Sequence, residues 1–109
     1  MDSKDANKSI EELQILEQQL HGLLAQKQMI QVETQEISNA LEELDKTKED
    51  VYKVLSGVML KADKEDLNKE LEEKKKLSEL RITSIEKQEK IFENRINDLR
   101  EKIMGKNKG

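Results

Sequence analysis

Val51-Tyr52-Lys53-Val54-Leu55-Ser56-Gly57-Val58-Met59-Leu60-Lys61-Ala62 decides how this chain is read. Two runs rich in β-branched and apolar residues flank Ser56-Gly57, a pair of turn formers. The pattern predicts two short strands, 51–55 and 58–62, joined by a tight turn. A lone two-stranded hairpin is marginal in water. This one would also leave both edges unpaired and its apolar side chains exposed. Pairing with hairpins of other subunits, in a shared sheet or barrel, relieves both problems. The segment therefore implies an oligomer built at this bend. A helical turn or loop packed on its own flanking segments is the alternative.

On the N-terminal side the chain reads as one long helix, about 5–48. Ser9-Ile10-Glu11-Glu12 is a capping box, and Asp2 or Ser3 offers an earlier start. A three-four spacing runs through Leu13, Leu16, Leu20, Leu23, Lys27, Ile30, Thr34, Ile37, Leu41 and Leu44. That is a heptad seam with two polar interruptions, Lys27 and Thr34. Polar seam residues can fix register or partner choice. They can also be merely tolerated, since a lysine buries its stem and frees its charge.

On the C-terminal side a second helix is expected over about 64–104, with Asp63 as its N-cap and Gly105 ending it. Its seam is Ile82, Ile85, Glu89, Phe92, Ile96, Leu99 and Ile103. Leu67, Leu71, Leu77 and Leu80 do not continue that frame, so a register shift or a change of packing partner is expected around 72–81. The tail 106–109 is expected to fray. Each arm has about 40 residues, roughly 60 Å of helix. Equal arms on a short link pair most simply as an antiparallel hairpin. Ile10, Leu13 and Leu16 then come near Ile96, Leu99 and Ile103, at the tip away from the bend.

Composition supports this narrow architecture. The 109 residues are 40% charged and 2% aromatic, without Pro, Cys or Trp. Such a chain lacks material for a wide core but suits a thin seam between long helices. The same composition also marks disordered chains, but here the apolar residues are periodic. The first 50 residues carry 5 Lys against 12 acids, and the remainder 15 Lys and Arg against 12 acids. An acidic arm and a mildly basic one complement each other across a hairpin. Nucleic-acid binding is disfavoured, because no basic face or aromatic platform is apparent.

Catalytic and metal chemistry find no constellation. The absence of cysteine excludes disulfides and thiolate metal sites. His21 is the only histidine and falls just past seam residue Leu20, on a solvated face. The four glycines form no phosphate loop. The acids, and Lys74-Lys75-Lys76 after Glu72-Glu73, read as solvated helix surface, and Tyr52 as a strand packing residue. No cofactor and no enzymatic role are expected. Asn7-Lys8-Ser9 forms a sequon, but no secretory leader or membrane-spanning run accompanies it, so a cytoplasmic location is expected.

Val51-Tyr52-Lys53 and Val58-Met59-Leu60-Lys61, placed between two coiled-coil arms, resemble a β-class prefoldin subunit, archaeal or eukaryotic. The first arm adds Leu16-Glu17-Gln18-Gln19-Leu20 through Gln26-Lys27-Gln28, and then Ala40-Leu41-Glu42-Glu43-Leu44. The chain departs from the family where Ser56 stands at a position often held by Gly. A single hairpin matches the β class, since α-type subunits carry two. The resemblance implies a mostly α fold whose hairpins join, from two α-type and four β-type subunits, into a β-barrel platform bearing six coiled coils. It implies an ATP-independent chaperone that holds unfolded polypeptide at the coiled-coil tips and delivers it to a group II chaperonin. By position, the platform would use Val51, Tyr52, Val54, Leu55, Gly57, Val58, Met59 and Leu60. The client-binding tip would use Ile10, Leu13, Leu16, Ile96, Leu99, Ile103 and Met104. A structural adaptor that oligomerises and tethers partners is the competing reading, but an adaptor has no need of an apolar strand hairpin.

Overall fold

A computed structural model describes residues 3–105. The elements run α1 (Ser3–Lys46), β1 (Val51–Leu55), β2 (Val58–Ala62) and α2 (Lys64–Met104). Two long helices thus enclose one antiparallel β-hairpin, the expected architecture. The chain divides into two compact units. One comprises residues 1–28 and 83–109, the other residues 29–82. The Asp2 cap and the tail beyond Gly105, considered above, lie outside the described residues.

In the first unit α1 and α2 run antiparallel. Glu17 meets Arg100, and ten residues further along α1 Lys27 meets Glu89 and Glu86. The core is aliphatic: Ile85, Ile96 and Leu99 are buried, with Leu99 only 1% exposed. Leu13, Leu16, Leu20, Leu23, Phe92 and Ile103 are half-buried along the same seam. The capping box at Ser9 is not used, because α1 already runs from Ser3 and carries the residue as its own interior. Ser9 is instead buried on the seam frame, seven residues before Leu16, and this pushes Ile10 off the seam to 39% exposure. A serine fits there because its small side chain lets the helices close. Gly105, at φ 69°, ends α2 in the left-handed conformation that lacks a Cβ penalty.

The second unit holds the end of α1, the hairpin and the start of α2. Ile30, Ile37 and Leu44 are buried on α1. Thr34, between them, donates its hydroxyl to the Ile30 carbonyl at 2.8 Å, so this polar seam residue is satisfied within its own helix. On α2 the expected register shift does not occur. Leu71, Lys75, Ser78 and Ile82 keep one three-four frame, and Leu77 and Leu80 lie 61% and 66% exposed. The physical reason is phase. An uninterrupted helix cannot rotate to follow two local leucines without under- or overwinding. Lys75 tolerates a half-buried stem, and Ser78 is small enough to be buried at 4% exposure.

The helix ends at the bend are closed by specific groups. Thr47 continues the α1 ladder by donating its N–H to the Glu43 carbonyl, and Lys64 donates Nζ to the Thr47 carbonyl at 2.9 Å. A lysine at these orphan carbonyls also complements the helix dipole. Asp63 caps α2 as expected. Its carboxylate accepts the Asp66 N–H at 3.4 Å, and its carbonyl accepts the Leu67 N–H at 2.9 Å.

Candidate assembly and capture surfaces

The hairpin register pairs Val51 with Ala62, Tyr52 with Lys61, Lys53 with Leu60, Val54 with Met59 and Leu55 with Val58. Two residues, Ser56 and Gly57, make the turn, with φ of 50° and 78°. Positive φ at both central positions is the turn whose twist matches the strands of a two-residue hairpin. Gly57 takes this conformation freely, whereas Ser56 takes it against the steric preference of an L-residue.

Side chains alternate across a strand, so Val51, Lys53 and Leu55 share one face with Ala62, Leu60 and Val58. Val51, Lys53 and Ala62 are half-buried, and this face is tied to α2 by Lys53, which donates Nζ to Glu70 Oε1 at 2.6 Å. That hydrogen bond holds the Glu70 carboxyl below its ordinary value. Burial opposes the shift, and the charges of Lys53 and Lys74 add to it. Tyr52, Val54 and Met59 lie on the other face, with Val54 and Met59 both 67% exposed. Leu55, Val58 and Leu60 are also about half exposed. Among the described residues the sheet consists of β1 and β2 alone, so each strand keeps one unpaired edge. Tyr52, Val54, Leu55, Val58, Met59 and Leu60 are thus exposed, and Val51 is half-buried.

At the chain-end surface of the first unit, the residues expected for the tip divide by burial. Ile96 and Leu99 are among the best-buried residues of the chain, and Leu13, Leu16 and Ile103 are half-buried. Of the residues expected for the tip, only Ile10, at 39%, and Met104, at 64%, present open apolar surface. An open cleft of about 700 Å³ lies at Met104, lined also by Asp5, Lys8, Ser9, Lys102, Ile103 and Gly105. Three exposed apolar residues of this unit were missed by the sequence reading: Ile15, at 55%, Leu24, at 38%, and Ile91, at 65%. Their signal was available, because all three fall outside the seam spacing and so had no partner assigned.

Charged groups brace the same unit. Arg95 chelates Glu12 through Nε and Nη2, at 2.9 and 3.1 Å, which raises the guanidinium pKa. Arg100 donates to Glu17 at 2.7 Å. Lys27 donates to Glu89 Oε1 at 2.9 Å. That bond raises the lysine pKa against the opposing effect of desolvation. His21 lines a shallow cleft of about 510 Å³ among Glu17, Lys90, Glu93 and Arg100, on an exposed helix face. Among the described residues no group of three or more His, Asp or Glu could hold a metal ion. Nor is any described helix long and apolar enough to cross a membrane.

Comparison with known proteins agrees with this geometry. A family model described as "Prefoldin subunit" matches residues 7–109. The chain is 37% identical over 93 residues to the prefoldin subunit beta of Sulfurisphaera tokodaii, covering 84% of this chain and 74% of that one. It is 39% identical over 94 residues to the prefoldin subunit beta of Methanothrix thermoacetophila, covering 84% and 78%. The crystal structure of the prefoldin beta subunit from Thermococcus strain KS-1 superposes with a TM-score of 0.86 at 29% identity, covering 96% of this chain and 94% of that one.

Proposed function

The chain belongs to the prefoldin subunit family, and from that premise we propose that it is an ATP-independent holdase subunit of β type. It assembles through residues 51–62 with α-type partners and further β-type copies, two α to four β. It captures unfolded polypeptide at the free ends of its helices and passes it to a group II chaperonin in the cytoplasm. The observation that carries this reading is the hairpin. A two-stranded sheet with both edges unpaired and Val54 and Met59 exposed is unstable as a solitary element. Strand addition by neighbouring hairpins supplies the missing hydrogen bonds and covers those side chains.

Capture at the helix ends rests on non-directional burial of apolar surface, worth about 25 cal/mol per Å². Ile10 and Met104 are open to a client in the closed helix pair. Leu13, Leu16, Ile96, Leu99 and Ile103 join the surface only where the helices part. Methionine and aliphatic side chains suit many partners, and several weakly binding ends gain affinity by avidity. No step calls for nucleotide or metal.

The test is native mass spectrometry of the chain mixed with an α-type subunit. A hexamer with two α and four β chains is expected. The Val54→Asp/Met59→Asp chain should remain as small species with the helical circular dichroism of its parent. A normal hexamer from that variant would refute assembly through the hairpin.

A further inference from the structure

Lys27 of α1 and Glu89 of α2 are the two charged seam residues of the first unit, and they face each other. Their side chains are 2.9 Å apart at Nζ and Oε1, and each is only 19% exposed. Glu86 stands 3.7 Å from the same Nζ, at 54% exposure. We propose that the Lys27–Glu89 pair is the register and partner lock of the coiled coil. It selects which stretch of α2 packs on α1, and it rejects both a heptad slide and the pairing of first helices from two copies.

The apolar seam cannot make that selection alone. Leu13, Leu16, Leu20 and Leu23 on one helix oppose a run of Ile, Leu and Phe on the other. A slide of seven residues again brings leucine onto isoleucine, and aliphatic contact is non-directional. The ion pair does not survive that slide. Seven residues are about 10 Å of helix, far beyond hydrogen-bond reach. Lys27 would then lie beside Ile82 or Ile96, and Glu89 beside Leu20 or Thr34. Glu89 would then stay half-buried without a partner, the arrangement that proteins tolerate least, and Lys27 would keep only a flanking acid, Glu79 or Glu93, in the place that Glu86 holds. Pairing between two first helices fails for the same reason. From Leu13 to Leu44 the α1 seam contains Lys27 and no acid.

The other cross-helix pairs of this unit discriminate less. Glu12 and Arg95 are 45% and 48% exposed, and Glu17 and Arg100 are 43% and 53% exposed. Water can replace a partner at such sites. Thr34 is no lock either, since its hydroxyl is satisfied by its own helix. A polar pair in an apolar seam lowers stability while fixing alignment, the use for which buried polar seam residues are best attested.

The test uses spin labels, which the absence of native cysteine makes simple. Cysteines replace the exposed Gln18 and Lys87, and labelled chain is diluted with unlabelled chain in the assembled complex. The parent should give one interhelix distance. The Lys27→Leu/Glu89→Leu chain should melt at higher temperature yet add a second distance population, from an axial shift of about 10 Å. The exchanged chain, Lys27→Glu/Glu89→Lys, should keep the single parental distance. A single unchanged distance in the leucine chain would overturn the proposal, and so would a second population in the exchanged chain.

Discussion

Lys53 of β1 and Glu70 of α2 join the hairpin to the second helix through a 2.6 Å hydrogen bond. The bond ties strand to helix by their side chains, while most of the hairpin's apolar surface is left outward. It therefore sets how the hairpin sits on α2. Glu70→Gln should reduce hairpin order and slow hexamer formation, with only a small fall in melting temperature, because both side chains are more than a third exposed.

The pH dependence of that tie has a definite sign. The folded carboxyl of Glu70 is held below its ordinary value of 4.5, so its contribution is fully present above 4.5. It is lost as pH falls through the folded value, where the carboxylate takes up a proton. The stability difference between the parent and Glu70→Gln should then shrink to nothing on acidification. Thermal melts of both chains across the carboxylate range measure it. A difference that persists in strong acid would show that the charge is not the cause.

Ser56 holds a left-handed φ of 50° at the first central position of the turn. An L-residue there costs about 1–2 kcal/mol, part of which glycine forfeits through its freer unfolded chain. Ser56→Gly should thus stabilise the hairpin by about 0.5–1 kcal/mol. Gly57→Ala should destabilise it by about 1 kcal/mol, although nothing lies within 4 Å of the added Cβ, because φ is 78°. Denaturant midpoints of the isolated subunit decide both signs.

The hairpin and the α1 seam were legible in sequence because each has a short period. Alternating or continuous apolar runs on either side of Ser56-Gly57 leave little choice of strand. The three-four spacing from Leu13 to Leu44 places every one of its residues on the half-buried or buried face. The α2 segment 72–81 was not legible, because local apolarity points to Leu77 and Leu80 while the phase of the whole helix selects Lys75 and Ser78. The phase of α1 likewise buries Ser9 and leaves Ile10, one position on, exposed. Lys27 and Glu89 were visible as interruptions, but their pairing spans 62 residues and needed the register.

Leu99 and Ile91 separate the seam from the outer surface of the first unit. Leu99 is 1% exposed and Ile91 is 65% exposed. Leu99→Ala should cost about 2–5 kcal/mol through lost burial and a residual cavity. Ile91→Ser, on an open face, should change stability by no more than about 0.5 kcal/mol. The expectation for capture is the reverse. If clients bind the surface that the closed helix pair exposes, Ile10→Ser/Ile91→Ser/Met104→Ser should weaken suppression of client aggregation while assembly and melting temperature hold. If clients bind the parted seam, that variant should act like its parent, and Leu99→Ala should be the one that alters capture. Aggregation of a chemically unfolded client, followed by light scattering at equal concentrations of assembled complex, distinguishes the two surfaces.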